Sequence, residues 1–593
     1  MAETATGERE LLSGNEAVAL AASHADVKMA TGYPGTPSTE ILETLASFGD
    51  EGIIARWAPN EKVALEVALG SSFAGARSLV TMKHVGVNVA ADPLMTGAHT
   101  GTEGGLVVVS ADDPGMHSSQ NEQDNRHYAR FAGLPMLEPS SSQEAYDCAR
   151  RAFELSEEFG TIVLLRLTTR ICHSKSIVTP RPPERIEREY SFERDIERFV
   201  MVPANARKRH VMLEERLAQL EELTETIDLN GVVGTPEGAP LGIVAAGVAY
   251  EYVREVAPEV PVFKVGMSWP LPLESIARFA EQVEDLLVVE ELSDFTLECL
   301  KAAAIPARGK DRSFRLGELN PDRVRSIIAG GPDVKPEPPD DAPAPRPPVL
   351  CPGCGHRSVF HVLKKLKLLV TGDIGCYTLG ALPPLSNLDT CVCMGASIGN
   401  ALGIERVVSE ERARGVVAVI GDSTFFHSGL TGVLDAVYNG SAGTLLILDN
   451  STTAMTGGQA HPGTGKRLDG EDAPLIKAAD ACRGLGVKDV REIDAYDRMG
   501  LEEALRDSLG RDEFTVIVCQ RPCLLLTRRR PERRYRVEQE RCEDCGACLR
   551  TGCPALRQAE GHVEIDQLYC AGCGLCYEVC RFDAIQQVDS PRE

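Results

Sequence analysis

Eight cysteines crowd the last part of the chain, and their spacing constrains the fold more than any other feature. The pattern is C-x2-C-x2-C-x4-C-P from Cys542 to Cys553, followed by C-x2-C-x2-C-x3-C from Cys570 to Cys580. A segment this short cannot bury a large hydrophobic core, so it needs another source of stability. Three close thiolates cover one face of a [4Fe–4S] cubane, and the more distant fourth cysteine crosses to the other cluster.

The spacing therefore predicts two [4Fe–4S] clusters with crossed ligands. Cluster one would be held by Cys542, Cys545, Cys548 and Cys580, and cluster two by Cys570, Cys573, Cys576 and Cys553. The alternative is zinc, which also binds C-x2-C pairs, but two triplets with crossed partners exceed the needs of a zinc site. The longer gap before Cys553 and the Arg581 found where proline is usual affect local geometry, not the number of clusters. This tail is predicted to carry electrons.

Ahead of the tail, short β-branched runs alternate with helical stretches, which predicts parallel sheets covered by helices. The predicted strands lie in the segments VKMATG, ARSLVTMKH, GGLVVVSADD, TIVLLRLTTR, DLLVVEE, VVAVIGD, TLLILDN and TVIVCQRPC. In such sheets the binding loops follow the carboxyl ends of the strands.

Composition and patterning divide the 593 residues into six predicted segments. They are an α/β domain at 1–180, a helical connector at 181–240, a smaller α/β domain at 241–329, a proline-rich linker at 330–348, a second large α/β domain at 349–525 and the cluster-binding tail at 526–593. The linker is assigned because its prolines and acidic residues cannot form a core. The basic run at 527–536 is predicted to be a solvated linker face, or else a surface that docks the tail or an acidic ferredoxin.

Charge and cysteine content restrict location and partners. No apolar run reaches about eighteen residues, so no transmembrane span is predicted. The acidic N-terminus, MAETATGERELLSG, has no apolar region of the kind that a secretory signal carries. The nineteen cysteines are therefore expected in a reducing cytoplasm, where such spacings favour clusters over disulfides. The net charge of −25 argues against nucleic acid as a partner.

Two strand ends in the second large domain resemble the GDG…N motif of thiamine diphosphate enzymes. Gly421, Asp422 and Ser423 follow the strand VVAVI, and Asn450 follows the strand TLLILD. A carboxylate and an amide oxygen at neighbouring strand ends can hold Mg²⁺ against a diphosphate, and that family usually adds a backbone carbonyl at the position of Thr452. The glycine allows close approach and the following helix start favours an anion. The alternative is a strand-end aspartate that only caps a helix.

Enzymes of that kind also need a glutamate against N1′ of the aminopyrimidine ring. Glu61, at the start of the apolar helical stretch in WAPNEKVALEVALG, is the candidate. The alternative is an ordinary glutamate at a helix N-terminus.

Seven segments, in order and over nearly the whole chain, resemble the large (α) subunits of indolepyruvate:ferredoxin oxidoreductases, in the 2-oxoacid:ferredoxin oxidoreductase superfamily. They are TGYPGTPSTE, WAPNEK, SADDPGMHSSQNEQDNRHYARFAG, CPGCGHR, DIGCYTLG, GDSTFFHSG and LDNSTTAMTGGQAHPG. The resemblance implies transketolase-like, thiamine-diphosphate-binding parallel-sheet domains, a smaller α/β domain and a ferredoxin-like domain with two clusters. It makes 1–180 the pyrimidine domain and 349–525 the diphosphate domain, and it places Glu61 against N1′ and Thr36 beside the thiazolium and the substrate carbonyl.

The resemblance also implies the reaction and its participants. An arylpyruvate such as indolepyruvate or phenylpyruvate would lose CO₂, coenzyme A would take the acyl group, and the electrons would pass through the clusters to ferredoxin. A smaller β subunit would join the chain in a heterotetramer of two large and two small subunits. The alternatives are the same chemistry on another bulky 2-oxoacid, a non-oxidative thiamine-dependent decarboxylase, and an electron-transfer subunit without catalysis. The intact tail argues against the second, and the Mg²⁺–diphosphate pattern with Glu61 argues against the third.

The segment CPGCGHR suggests a third [4Fe–4S] cluster. Members of the superfamily often hold a cluster near the thiamine with a C-x2-C pair, an IGC cysteine and a late cysteine after a proline. Their counterparts here are Cys351, Cys354, Cys376 and Cys523. Gly355 replaces the proline usual in the arylpyruvate branch and makes the loop more flexible. The alternative is that these are structural thiols and that iron is confined to the tail.

Overall fold

The structure is a computed structural model, which describes residues 8–49, 52–333, 347–527, 533–559 and 561–589. It forms two compact units, 1–340 and 341–593. Positions 334–346 of the predicted linker and 528–532 of the basic run lie outside the described residues.

The first unit contains a seven-stranded sheet in the order β12-β6-β7-β5-β4-β2-β3, a four-stranded sheet in the order β13-β10-β11-β9, and the pair β1-β8. Its strands are β1 (Glu10–Ser13), β2 (Met29–Gly32), β3 (Ile54–Trp57), β4 (Ser78–Lys83), β5 (Leu106–Asp112), β6 (Met136–Leu137), β7 (Ile162–Thr168), β8 (Lys175–Val178), β9 (Gly231–Val233), β10 (Gly242–Ala246), β11 (Val262–Val265), β12 (Met267–Trp269) and β13 (Leu286–Val289). Within the large sheet only β12 runs antiparallel to its neighbour.

Helices surround these sheets. They are α1 (Gly14–His24), α2 (Thr39–Ser47), α3 (Glu61–Phe73), α4 (His84–Val89), α5 (Ala91–Thr100), α6 (Arg126–Ala132), α7 (Ser142–Phe159), α8 (Thr169–His173), α9 (Ile196–Phe199), α10 (Pro203–Thr224), α11 (Val248–Val256), α12 (Leu273–Ala280), α13 (Phe295–Ala302) and α14 (Pro321–Ile328). Strands β4, β5 and β7 are buried along their whole length, which is why they read as continuous apolar runs in the sequence.

The second unit is built on a six-stranded, all-parallel sheet in the order β15-β14-β16-β17-β19-β18. Its strands are β14 (Leu369–Gly372), β15 (Thr390–Cys391), β16 (Val416–Gly421), β17 (Thr444–Asp449), β18 (Asp489–Asp494) and β19 (Thr515–Gln520). Its helices are α15 (Gly355–Leu366), α16 (Ala396–Val407), α17 (Glu410–Ala413), α18 (Asp422–Thr424), α19 (Leu430–Tyr438), α20 (Ala478–Gly484), α21 (Arg498–Ser508) and α22 (Leu524–Thr527). A π-helical turn, Phe425–Gly429, joins α18 to α19.

The tail of the second unit has two antiparallel strand pairs, β20 with β23 and β21 with β22. Its elements are β20 (Arg533–Val537), β21 (Leu556–Ala559), β22 (His562–Ile565), α23 (Leu575–Glu578) and β23 (Ile585–Asp589). The tail's core contains four buried residues, with the cysteines 570, 576 and 580 packed against it. The structure thus agrees with the expectation that apolar burial in this segment is small.

The predicted α/β class and the eight predicted strands are confirmed. The segment boundaries stay predictions. Two short strands pair with strands of a different predicted segment: β9 lies within the predicted connector and pairs with β11, and β12 lies within the predicted smaller domain and extends the large sheet. Strands of three residues carry too little alternation to be seen in a sequence. Among the described residues, no helix is both long and apolar enough to cross a membrane.

Candidate functional site

Glu61 is the first residue of α3, and the end of that helix is fixed by its cap. The side chain of Asn60 accepts a hydrogen bond from the Val63 N–H at 3.0 Å, which satisfies one of the free donors of the first turn. Glu61 is only 6% exposed. A Cβ added to Gly86, in α4, would lie 2.7 Å from Glu61 Oε1, so the carboxylate rests against the backbone of the neighbouring helix.

Thr36 lies in the loop after β2, and a lysine at the end of β4 reaches the same loop region. Lys83 Nζ donates to the Ser118 carbonyl oxygen at 2.5 Å, and Ser118 Oγ donates to the Thr36 carbonyl oxygen at 3.3 Å. Burial lowers the pKa of Lys83 to about 8, against the opposing charge of Asp113. The carboxyl edge of this sheet therefore gathers a buried cation and several oxygen atoms around Thr36.

In the second unit, Asp422 and the loop after β17 come together as the sequence predicted. Strands β16 and β17 are parallel neighbours with Gly421 paired to Leu448, so their carboxyl ends meet. The Ser451 N–H donates to Asp422 Oδ2 at 2.8 Å, and the Thr452 N–H donates to Asn450 Oδ1 at 3.2 Å. Ser423 directly follows Asp422 in the short helix α18.

Two groups that the sequence did not assign as ligands share this position. His461 Nε2 lies 3.2 Å from Asp422 Oδ2. Burial and then the charge of Asp422 raise the pKa of Asp449 to about 6. The ring of Tyr377 explains the glycine at the strand end, because a Cβ on Gly421 would lie 2.8 Å from its Cε1 atom.

These donors fit a hard cation with a diphosphate. A carboxylate, an amide oxygen and nearby backbone carbonyls form an oxygen-rich set of the kind Mg²⁺ prefers. A helical turn begins at Asp422, and the start of a helix favours an anion. Within the described residues, no group of three or more His, Cys, Asp or Glu side chains is arranged to hold a metal ion, and the predicted magnesium donors include only one such side chain.

The four cysteines predicted for a third cluster lie in the same region of the second unit, where their charges affect one another, but the described residues do not arrange them as a finished metal site. Burial raises the pKa of Cys376 to about 12, and the next causes are the charges of Cys354, Cys523 and Cys351 and then that of Asp422. The pKa of Cys351 is likewise raised by burial and then by Cys354 and Cys523.

This thiol group adjoins the Asp422 loop. The Cys523 N–H donates to the Asn450 carbonyl oxygen at 2.9 Å, so the two predicted cofactor sites share a stretch of backbone. Four thiols in this region would supply the soft ligands that an iron–sulfur cluster takes, one for each iron.

The tail brings together the two crossed sets of cysteines. The four ligands predicted for cluster one line a single cavity: Cys542, Cys545, Cys548 and Cys580. For cluster two, burial raises the pKa of Cys576 above its ordinary value, followed by the charges of Cys573, Cys553 and Cys570. The fold thus brings Cys580 to the cavity of the first three cysteines, in line with the crossing inferred from spacing, and the two ligand sets stay predictions.

The CPGC loop packs directly on the tail. A Cβ on Gly353 would lie 2.5 Å from the Cβ of Ala571, which sits between two ligands predicted for cluster two. The Gly353 N–H hydrogen-bonds to the Cys553 thiol, which moderates the rise in pKa that burial causes there. Tyr496 also donates a hydrogen bond from its hydroxyl to the Gly353 carbonyl oxygen. Hence the predicted third cluster and cluster two have adjoining ligand loops.

Arg357 is a residue that the sequence reading passed over, although it is the last letter of CPGCGHR. Its side chain connects that loop to the tail, as described below. The only signal in the sequence was a basic residue directly after a C-x2-C pair. By contrast, five cysteines outside the cluster motifs are buried: Cys148, Cys172, Cys299, Cys482 and Cys519.

Comparison with known families gives three matches along the chain. Residues 20–219 match the family described as pyruvate flavodoxin/ferredoxin oxidoreductase, thiamine diP-binding. Residues 373–519 match the thiamine pyrophosphate enzymes' C-terminal TPP binding domain, and residues 563–586 match the 4Fe-4S binding domain. The chain thus carries thiamine-diphosphate-binding domains and an iron–sulfur domain.

Curated relatives match the chain from end to end. Indolepyruvate oxidoreductase subunit IorA of Methanothermobacter marburgensis is 40% identical over 612 residues, covering 98% of this chain and 97% of the relative. The subunit of the same name from Archaeoglobus fulgidus is 40% identical, covering 99% of both chains.

A solved structure is similar over part of the chain. The 2-oxoglutarate:ferredoxin oxidoreductase from Magnetococcus marinus, with 2-oxoglutarate, coenzyme A and succinyl-CoA bound, matches with a TM-score of 0.45 and 16% identity. The match covers 56% of this chain and 66% of that one.

Proposed function

Since the chain belongs to the family of the IorA subunits of indolepyruvate oxidoreductase, in the 2-oxoacid:ferredoxin oxidoreductase superfamily, we propose that it oxidatively decarboxylates arylpyruvates. The products are the aryl-acetyl-CoA and CO₂, and the electrons pass to ferredoxin. The observation that carries this proposal is the four-thiol group next to the Asp422 loop, because thiols there could bind an electron acceptor close to the predicted diphosphate site.

Glu61 and Thr36 supply the first unit's part of the chemistry. Bound thiamine diphosphate would supply the carbanion chemistry that decarboxylation of a 2-oxoacid needs. Glu61 would hold the proton shared with the aminopyrimidine N1′, and its burial against Gly86 restricts the directions in which the carboxylate can point. Thr36, on the loop after β2, would lie beside the substrate carbonyl.

Asp422, Asn450 and the carbonyl of Thr452 would hold Mg²⁺ with the diphosphate, and Gly421 and Ser423 flank Asp422 at the start of the helical turn. Asp422 is oriented by the Ser451 N–H. The oxygen donors orient the cofactor and offset the diphosphate charge.

The electrons leave through the cysteine sites in the order in which their ligand loops adjoin. The group of Cys351, Cys354, Cys376 and Cys523 lies beside the Asp422 loop, and its Gly353 contacts the ligand loop of cluster two. The predicted ligands of the two tail clusters adjoin, since Cys576 packs against the core cluster that contains Cys548.

A smaller β subunit completes the enzyme in a heterotetramer of two large and two small chains, and ferredoxin is the external acceptor. We place the complex in the cytoplasm, because its nineteen cysteines require a reducing environment to hold clusters.

The test is an anaerobic assay of the complex purified with its partner subunit. Thiamine diphosphate, Mg²⁺ and coenzyme A are supplied, and indolepyruvate, phenylpyruvate and pyruvate are offered separately. We expect the aryl substrates alone to bleach the cluster absorbance quickly and to form acyl-CoA. Fast reduction by a different bulky 2-oxoacid would change the substrate class, and release of aldehyde without bleaching would mean a non-oxidative decarboxylase.

A further inference from the structure

Arg357 links the CPGC loop to the tail through one side chain. It lies in the first turn of α15 and is 2% exposed. Its Nη2 donates to the Leu350 carbonyl oxygen, just before Cys351, and its Nη1 donates to the Thr551 carbonyl oxygen in the tail at 3.0 Å. The planar guanidinium therefore holds two backbone segments at a fixed separation.

The surroundings of this guanidinium are rich in thiols from both sides. Burial lowers its pKa, and the charges that oppose this are, in order, those of Cys553, Cys354, Cys573 and Cys351. Two of these cysteines are predicted ligands of the third cluster, and two are predicted ligands of cluster two. Its Nε has no hydrogen-bond partner among the described residues, which leaves that N–H available to a thiolate or a sulfide.

We propose that Arg357 is a positioning residue shared by the CPGC-bound cluster and cluster two, and that its charge sets the reduction potentials of both. This inference rests on the function proposed above. One-electron reduction adds one negative charge to a cluster, and a fixed cation nearby stabilises that reduced form. Because one cation serves both clusters, it raises both potentials together and leaves the difference between them little changed.

Arginine is suited to this position for two reasons. It keeps its proton when it is buried, so it supplies a permanent positive charge to the site. It also donates in two directions at once, which a lysine ammonium does with less directional control. The charge and the hydrogen bonds can therefore be separated by experiment.

The test is an EPR-monitored redox titration of the full complex carrying Arg357→Gln or Arg357→Lys. Arg506→Gln is the matched control, because it removes the same charge from an exposed site in the same unit. In the Gln variant we expect the potentials of the CPGC cluster and of cluster two to fall together. A tenfold change in the one-electron equilibrium corresponds to about 59 mV. Cluster one, the Lys variant and the control should stay near their wild-type values.

Iron content separates failure of this inference from failure of the proposed function. A wild-type iron content of about eight atoms per chain, rather than about twelve, would overturn the proposed third cluster and with it the shared role of Arg357. Wild-type iron of about twelve atoms per chain would support the third cluster. If the potentials then stay unshifted in Arg357→Gln, or if only one cluster shifts, the shared role of Arg357 is overturned and the proposed function is not. If the Gln variant loses clusters, the Lys variant decides: wild-type potentials support a role of charge, and a tenfold shift of both contradicts it.

Discussion

At the scale of single residues, Glu61 and Asp422 are both buried carboxylates whose surroundings prepare them for different tasks. Glu61 rests against Gly86 at the start of a helix and presents one carboxylate in a fixed direction, which suits a hydrogen bond to one ring nitrogen. Asp422 accepts N–H donors with both oxygens, from Ser423 and from Ser451, within a loop of other oxygen atoms. That setting suits a hard cation.

The first prediction concerns Glu61→Gln. An amide cannot share the proton with N1′, so we expect substrate-driven cluster reduction to slow about 10²–10⁴-fold. Reduction of the same clusters by dithionite should be unchanged, because their ligands lie in the second unit. Stopped-flow bleaching under anaerobic conditions measures both. The control is Glu66→Gln, an exposed position on the same helix, and wild-type turnover in Glu61→Gln would remove this residue from the mechanism.

We predict that a second residue, the buried Glu291, makes the free energy of unfolding depend on pH. Burial raises its pKa from 4.5 to about 7, while the Leu319 N–H and Arg166 oppose the rise and Glu318 and Glu138 add to it. Between these two values the unfolded chain releases a proton that the folded chain keeps, so stability falls as pH rises through this window. The loss is at most about 3 kcal/mol and is complete above pH ~7.

Replacing Glu291 by Gln removes this titration and keeps an oxygen that can accept the Leu319 N–H. We therefore expect the difference in unfolding temperature, variant minus wild type, to be more positive at pH 8 than at pH 5. Differential scanning calorimetry measures it, with Glu298→Gln, at an exposed position nearby, as the control. An equal difference at both pH values would contradict a raised pKa for Glu291.

At the scale of elements, the meeting of α3 with α4 positions the site of the first unit. The N-cap Asn60 fixes where α3 begins, and α4 begins directly after β4. The Glu61 side chain fills the space beside Gly86, so a side chain fits there only if that carboxyl group moves. The position of the Glu61 carboxylate therefore depends on a neighbouring helix as well as on its own.

Gly86→Ala tests this dependence without changing Glu61. Its methyl group would displace the carboxylate, and a misplacement of about 1 Å at a reacting group costs about 10²-fold in rate. We expect substrate-driven bleaching to slow by about this factor while iron content stays at the wild-type value. Gly70→Ala is the matched control, since a Cβ there meets nothing within 4 Å and alanine is favoured in a helix. Similar rates in both variants would show that Gly86 does not position the carboxylate.

Long buried strands and regular cysteine spacings could be read from the sequence, because both are local patterns. Strands β5 and β16 are continuous apolar runs, and the crossed cysteine sets follow from spacing alone. The short strand β12 and the side chain of Arg357 could not be placed in this way. The partner of Arg357, Thr551, is 194 positions away, and no local pattern encodes such a contact.

At the scale of the whole molecule, the second unit joins its parallel sheet to the tail by contacts of several kinds. Arg498, at the start of α21, forms a two-point ion pair with Glu578 in the tail. Arg357 and Gly353 add a hydrogen bond and a close packing contact. Electron transfer between the predicted clusters would need their ligand loops to be held at a fixed spacing. These contacts would fix that spacing.

The number of clusters is the prediction at this scale. Cys523→Ala should lower the iron content by about four atoms per chain, because it removes one ligand of the CPGC-bound cluster. Cys519→Ala, four positions earlier in the buried strand β19, should keep wild-type iron. Iron and protein are measured on the same anaerobic samples. Equal iron in both variants would assign Cys523 a structural role only.

The contact between Gly353 and Ala571 also bears on how interchangeable the tail is. With a virtual Cβ–Cβ distance of 2.5 Å, neither position has room for a larger side chain unless the other loop moves. A foreign two-cluster ferredoxin spliced in at residue 526 would meet this restriction at once. We therefore expect the tail and the CPGC loop to have evolved together, although the tail is a separate segment in the sequence.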